Sequence, residues 1–329
     1  MLLLKVKIGL ILLGGFLNSF WGNTTLQNYA IETPFIENYS LQENSGYTAV
    51  ACYKSGFIAV GADGRIDHIS TNGEITQTEK FPDIHFKCLL AADQFVMAAG
   101  DNGNVVISSK NEPFQKIESG TEKGINSIAS FNEFIIAVAK NGEILLGDTE
   151  GFFQMFQLNV KGNIVSISSN KTDCFGVTDE GEIIHSKDGL NWNIFDFNKT
   201  YAGFYKPCRF KKVLVTENNI AVIGIHEDGT PAVLFSNLGN VWTERTLNYT
   251  DENGKDGYLT DIPNDILYDA IADEYYIACS NGKMMILPNC SHCNSFTTIT
   301  DKNLTGISFN GNVLLIVGEQ FFIKHLVIR

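Results

Sequence analysis

Positive charge is what this sequence has least of. Its arginines are Arg65, Arg209, Arg245 and Arg329, and 24 Lys and Arg stand against 37 Asp and Glu, a formal net charge of −13. An acidic surface repels phosphate backbones, which excludes nucleic acid as a partner. No apolar run reaches the eighteen or so residues of a spanning helix, so stable membrane insertion of the mature chain is not expected. No Gly-x-Ser-x-Gly elbow, His-Glu-x-x-His helix or phosphate loop is present. The histidines His68, His85, His185, His226, His292 and His325 are scattered, as packed or solvated strand residues are. No cofactor is expected.

The N-terminus carries Lys5 and Lys7 without an acid, then the apolar run Ile8–Leu17, then polar residues from Asn18. This is the layout of a secretory signal peptide over residues 1–22, with an uncleaved anchor as the alternative. Residues 23–329 are then one domain, secreted to the extracellular space, or to the periplasm of a bacterium. Seven cysteines is an odd number for an exported chain. Cys52, Cys88, Cys174 and Cys279 fall in apolar runs, where cysteine acts as a small buried hydrophobe. Cys290 and Cys293 instead lie in a polar turn, and a local disulfide between them is the expectation. A metal site would need two more ligands, and a redox motif a βαβ setting.

What the chain does have is a repeat. Asp63-Gly64, Asn102-Gly103, Asn141-Gly142, Glu180-Gly181, Asp228-Gly229 and Asn281-Gly282 each follow a short apolar run. The glycines are spaced by 39, 39, 39, 48 and 53 residues, so the later units carry insertions. Asn-Gly and Asp-Gly accept the positive φ angles of a tight hairpin. Small residues recur five before the turn glycine, at Ala59, Ala98, Ala137, Gly176 and Gly224, a pattern expected close to the axis of radially arranged sheets. Four strands per unit without helical periodicity predict an all-β, seven-bladed β-propeller of four-stranded antiparallel blades. The seventh unit, Leu304–Leu326, lacks an outer strand, and the N-terminal strand Thr33–Leu41 is expected to supply it. Six or eight blades are the alternatives.

Ser186-Lys-Asp-Gly-Leu-Asn-Trp192 stands between the third and fourth strands of unit four. It resembles the Asp-box (BNR) turn of sialidase-superfamily and photosystem II assembly-factor-like propellers. Ser236–Trp242, Ser108–Phe114 and Gly147–Phe153 keep its spacing in worn form, and in unit six the Cys290–Cys293 bridge would replace its hydrogen bonds. The resemblance implies that Ser186, Asp188, Gly189 and Trp192 are scaffold, away from the ligand face. A sialidase-like site would require three clamping arginines and a Phe-Arg-Ile-Pro-type segment, and this chain lacks that segment and has few arginines. Xyloglucanase-type relatives place paired aspartates between two propellers, whereas this chain has length for one.

Loop length points to the binding region. Links between units share a face with the glycine turns, and two neighbouring links are long, Lys199–Pro207 and Tyr249–Asn264. They bring Tyr201, Phe204, Tyr205 and Tyr258 beside Asp251, Glu252, Asp256 and Asp261, a set suited to stacking on a sugar or anchoring a peptide. Solvated insertions with buried anchoring rings are the plain alternative. Residues 251–257 also faintly resemble a calcium loop, but Lys255 occupies an oxygen position. The expected function is a non-catalytic binding module for a protein or glycan ligand. The alternatives are a glycoside hydrolase using Asp251, Asp256, Asp261 or Asp265, and a purely architectural protein. Seven Asn-x-Ser/Thr sequons, at Asn23, Asn38, Asn170, Asn198, Asn248, Asn289 and Asn303, would suit a secreted glycoprotein.

Overall fold

The structure, a computed structural model, describes residues 45–109, 112–250, 255–288 and 294–328. The expected signal peptide, the strand Thr33–Leu41, the acids Asp251 and Glu252, and the Cys290–Cys293 pair lie outside the described residues. Seven antiparallel sheets form the blades of a propeller. Their first strands are Tyr47–Tyr53, Phe86–Ala91, Ile125–Phe131, Ile164–Ser169, Cys208–Val215, Pro263–Asp269 and Leu304–Asn310. These strands neighbour one another around the ring, and Tyr47–Tyr53 meets Leu304–Asn310 to close it. Blades 1 to 6 have four strands in simple meander order. Blade 7 has three among the described residues, ending at Phe322–Val327.

Burial peaks at the second strand of each blade and falls toward the outer one. Second strands such as Phe95–Gly100 are apolar almost throughout, because neighbouring blades cover both of their faces. The outer strand Ile75–Lys80 is largely exposed and correspondingly polar. The core is a set of seams between blades. Ile58 and Val60 pack with Val96 and Ala98 across the first seam, and Phe57 and Ala59 with Leu315 and Val317 across the last. This corrects one expectation. Ala59, Ala98 and Ala137 belong to second strands and face the preceding blade, instead of lining the innermost position. Close approach of adjacent sheets, not convergence on the axis, demands the small side chains.

The turns explain the glycines. Asp63, Asn102, Asn141 and Asn281 have φ between 55° and 60°, and the glycine after each is also left-handed. Glu180 and Asp228 are not left-handed, and in those turns only the glycine carries positive φ. A Cβ on Gly64 would stand 1.7 Å from the Phe81 carbonyl oxygen, so the site is closed to any side chain. The seventh turn has no glycine. Gln320 and Phe321 adopt φ of 56° and 55° there, unusual for side chains of that bulk.

One hydrogen bond repeats seven times. The backbone amides of Ala62, Asp101, Lys140, Asp179, Glu227, Ser280 and Glu319 donate to the carbonyls of Gly46, His85, Gly124, Asn163, Pro207, Ile262 and Asn303, at 2.8–3.1 Å. Each bond ties a turn to the end of the link entering the same blade. Turns and links therefore share one face all around the wheel.

Candidate functional site

The link into blade 5 begins with a helical turn, Phe197–Thr200, capped by Asp196, whose carboxylate accepts from the Lys199 amide at 2.9 Å. Phe197 is buried, and Tyr201 and Tyr205 pack on it with ring centroids 4.9 and 6.0 Å away. The Tyr201 hydroxyl accepts from the Trp242 amide at 2.9 Å, and the Tyr205 hydroxyl donates to the Trp242 carbonyl. These two tyrosines are anchors that fasten the link to blade 5. Gly203, at φ +87°, turns the chain outward. Phe204 follows it and is 83% exposed.

The link into blade 6 carries a hairpin, Asn248–Thr250 against Asp256–Tyr258, whose base is held by buried Leu247 and Leu259. Tyr258 is 73% exposed. It stands with Phe204 along a groove of about 550 Å³ that is also lined by Lys206, His226, Thr230, Glu244 and Thr246. The loops chosen from the sequence thus meet in one groove, through Phe204, Tyr205 and Tyr258 of the four aromatics.

The acids are placed differently. Asp256 accepts from the Thr250 hydroxyl within the hairpin at 2.7 Å. Asp261 is buried, with Lys283 and Asn281 each at 2.9 Å. Asp265 belongs to the first strand of blade 6, where it pairs with Lys212 at 2.6 Å and accepts from the Ile307 amide of blade 7. Each holds a structural contact. Hydrolysis by paired carboxylates needs two acids facing each other across a cleft, and Asp256, Asp261 and Asp265 do not line this groove.

The predicted turn in blade 4 is well formed on the opposite face. The Ser186 hydroxyl accepts from the Gly189 amide at 2.8 Å, and one Asp188 oxygen accepts from the amides of Leu190 and Asn191 at 2.9 and 2.7 Å. The Trp192 indole donates to the Gly189 carbonyl at 3.0 Å. The Asn191 and Leu190 amides hold the Asp188 carboxyl well below the usual carboxylate range. Blade 5 repeats the serine and tryptophan bonds through Ser236, Gly239 and Trp242, with exposed Leu238 in the aspartate position. Blade 3 departs from the pattern. Its strands close tightly, with Asp148 opposite Gly151, so residues 147–153 form no six-residue loop.

The sequence reading missed three residues. Cys208 Sγ lies 3.3 Å from His226 Nδ1, and His226 Nε2 lies 2.6 Å from Glu244 Oε1. His226 and Glu244 line the groove, and Cys208 lies behind them. The bonds to Cys208 and then to Glu244 push His226 up to about 10. Neither group of three or more His, Cys, Asp or Glu side chains suited to a metal, nor a helix long and apolar enough to cross a membrane, occurs among the described residues.

No protein-family model and no curated protein matches this chain. Solved structures do. The WD40 β-propeller domain of Doa1 has a TM-score of 0.63 at 8% identity, covering 86% of this chain and 93% of its own. The computationally designed Ika8 protein has a TM-score of 0.60 at 11% identity, covering 87% and 97%. At such identities the likeness shows the fold alone. The chain is a seven-bladed β-propeller.

Proposed function

We propose that this protein is a secreted, non-catalytic binding module that takes a protein or glycan ligand at the groove between blades 5 and 6. The observation that carries the reading is the separation of roles among the loop aromatics. Tyr201 and Tyr205 are spent on holding the link, while Phe204 and Tyr258 project into solvent from separate links beside one groove. Large exposed rings on well-anchored loops are costly to keep in water and mark contact surfaces. Kinship with Asp-box propellers is part of the same proposal, supported by the bonding of Ser186, Asp188, Gly189 and Trp192, and it leaves that turn as scaffold.

The test is a glycan array together with affinity capture of extracellular proteins, run on the wild-type chain and on a Phe204→Ala/Tyr258→Ala variant. A ligand held in the groove is lost from the double variant and kept by Asp188→Asn on the far face. Equal retention by both variants would remove the groove from consideration.

A further inference from the structure

We propose that Cys208 is a nucleophilic thiol built for oxidation by small hydroperoxides, with His226 as its proton partner and Glu244 orienting the imidazole. This assignment goes beyond ligand binding and does not depend on it.

The first support comes from comparing the blades with one another. At the position where the first strand begins, Tyr47, Phe86, Ile125, Ile164, Pro263 and Leu304 stand opposite Gly61, Gly100, Ala139, Thr178, Cys279 and Gly318. The fold is satisfied there by an apolar residue facing a small one. Blade 5 alone places Cys208 opposite His226, and its outer strand adds Glu244. Nothing in the repeat requires a thiol, an imidazole and a carboxylate in sequence.

The second support is geometric. A carboxylate only accepts, so the 2.6 Å contact with Glu244 puts an imidazole hydrogen on Nε2. Nδ1 is the nitrogen that faces Sγ, at 3.3 Å, and shares one hydrogen with it. This is the nucleophile–base–orienter order of activated thiols. Asn198 fixes the cysteine from behind, its side chain bonding both the Cys208 amide, at 2.8 Å, and the Cys208 carbonyl, at 3.0 Å. The thiol has one competing acceptor, the Lys206 carbonyl at 3.4 Å. Of the charged groups around it, Lys206 and Asp228 pair with each other at 2.5 Å, Arg245 is bonded to Asn294 and Pro288, and the chain neighbours Arg209 and Glu227 are exposed.

Burial selects the substrate. Cys208 is 1% exposed, which bars bulky electrophiles, but the reacting end of a hydroperoxide is a single oxygen. With the hydrogen shared by the pair on His226 Nδ1, the sulfur attacks the terminal peroxide oxygen. The S–O bond forms as the O–O bond breaks. The departing oxygen takes the proton from Nδ1 and leaves as an alcohol, or as water when the oxidant is hydrogen peroxide. Sulfur is oxidised to the sulfenic acid and the peroxide is reduced. The remaining described thiols are not so equipped. Burial pushes Cys88 and Cys279 up to about 12 and raises Cys52 and Cys174, and none of the four is hydrogen-bonded to an imidazole.

The full-length chain treated with hydrogen peroxide provides the test, with oxygen uptake at each cysteine followed by peptide mass spectrometry. Cys208 should be oxidised about tenfold faster than exposed Cys52. His226→Gln should slow it by about tenfold, and Glu244→Gln by less. Cys208→Ser should leave ligand capture unchanged, which separates this site from the binding groove. Oxidation of Cys208 no faster than Cys52, or an unchanged rate in a folded His226→Gln protein, overturns the assignment. If that variant does not fold, the wild-type pH profile decides. A rate nearly flat between about pH 6 and 8 supports the assisted thiol, and one rising about tenfold per pH unit marks an ordinary one.

Discussion

Asp67 shows how much one buried side chain carries at the seam that closes the ring. It is fully buried and accepts from Arg65 Nε at 2.6 Å, from the Thr78 hydroxyl at 2.5 Å and from the Tyr47 hydroxyl. Arg65 in turn lies 4.6 Å over the Phe321 ring of blade 7, and Tyr47 meets that ring edge-on. Asp67→Ala would orphan a guanidinium and two hydroxyls together, and should cost about 3 kcal/mol in urea denaturation. Gln320 offers the opposite case. Its φ of 56° suits asparagine better than glutamine, so Gln320→Asn should stabilise by about 0.5 kcal/mol in the same assay. His226 gives a pH signature. Its folded pKa of about 10 exceeds that of an unfolded histidine, so its contribution is complete below about pH 6.5 and is lost as pH rises toward 10. Denaturation midpoints should therefore fall across that alkaline window in the wild type and flatten in His226→Gln. None of these partnerships could be read from spacing. Cys208 and His226 are eighteen residues apart and meet only through strand register, and Tyr47 reaches Phe321 only because the ring closes.

Elements were legible where backbone chemistry is restrictive. Asp63-Gly64 and Asn102-Gly103 announce their turns because few residues tolerate left-handed φ. The seventh turn, Gln320-Phe321, was invisible for the converse reason: its strain is offset by tertiary contacts that composition does not display. The long links show the same divide. Their aromatic content was plain, but which rings anchor and which project depended on Trp242, a partner more than thirty residues away. The turn in blade 5 can be repaired. Leu238 is exposed and stands where Asp188 does its bonding in blade 4, so Leu238→Asp should supply the missing acceptor for the next amides. A rise in melting temperature of about 2 °C is expected by calorimetry.

At the scale of the whole molecule, blade 7 presents Phe322–Val327 as its last described strand. The ring closes at this blade through side chains as well as strands: the Thr305 hydroxyl donates to the Tyr47 carbonyl at 2.6 Å, and the Asn310 side-chain amide to the carbonyls of Lys54 and Gly56 at 3.1 and 2.8 Å.

The sevenfold amide-to-carbonyl bond has a consequence for engineering. It pins each connecting segment where it enters the wheel, whatever lies before that point, so the eighteen residues of 245–262 and the five of 81–85 are held by the same clasp. A segment exchanged whole between neighbouring blades, or lengthened by design, should leave the hub undisturbed and carry its own recognition chemistry with it. The wheel is in that sense a socket for interchangeable parts.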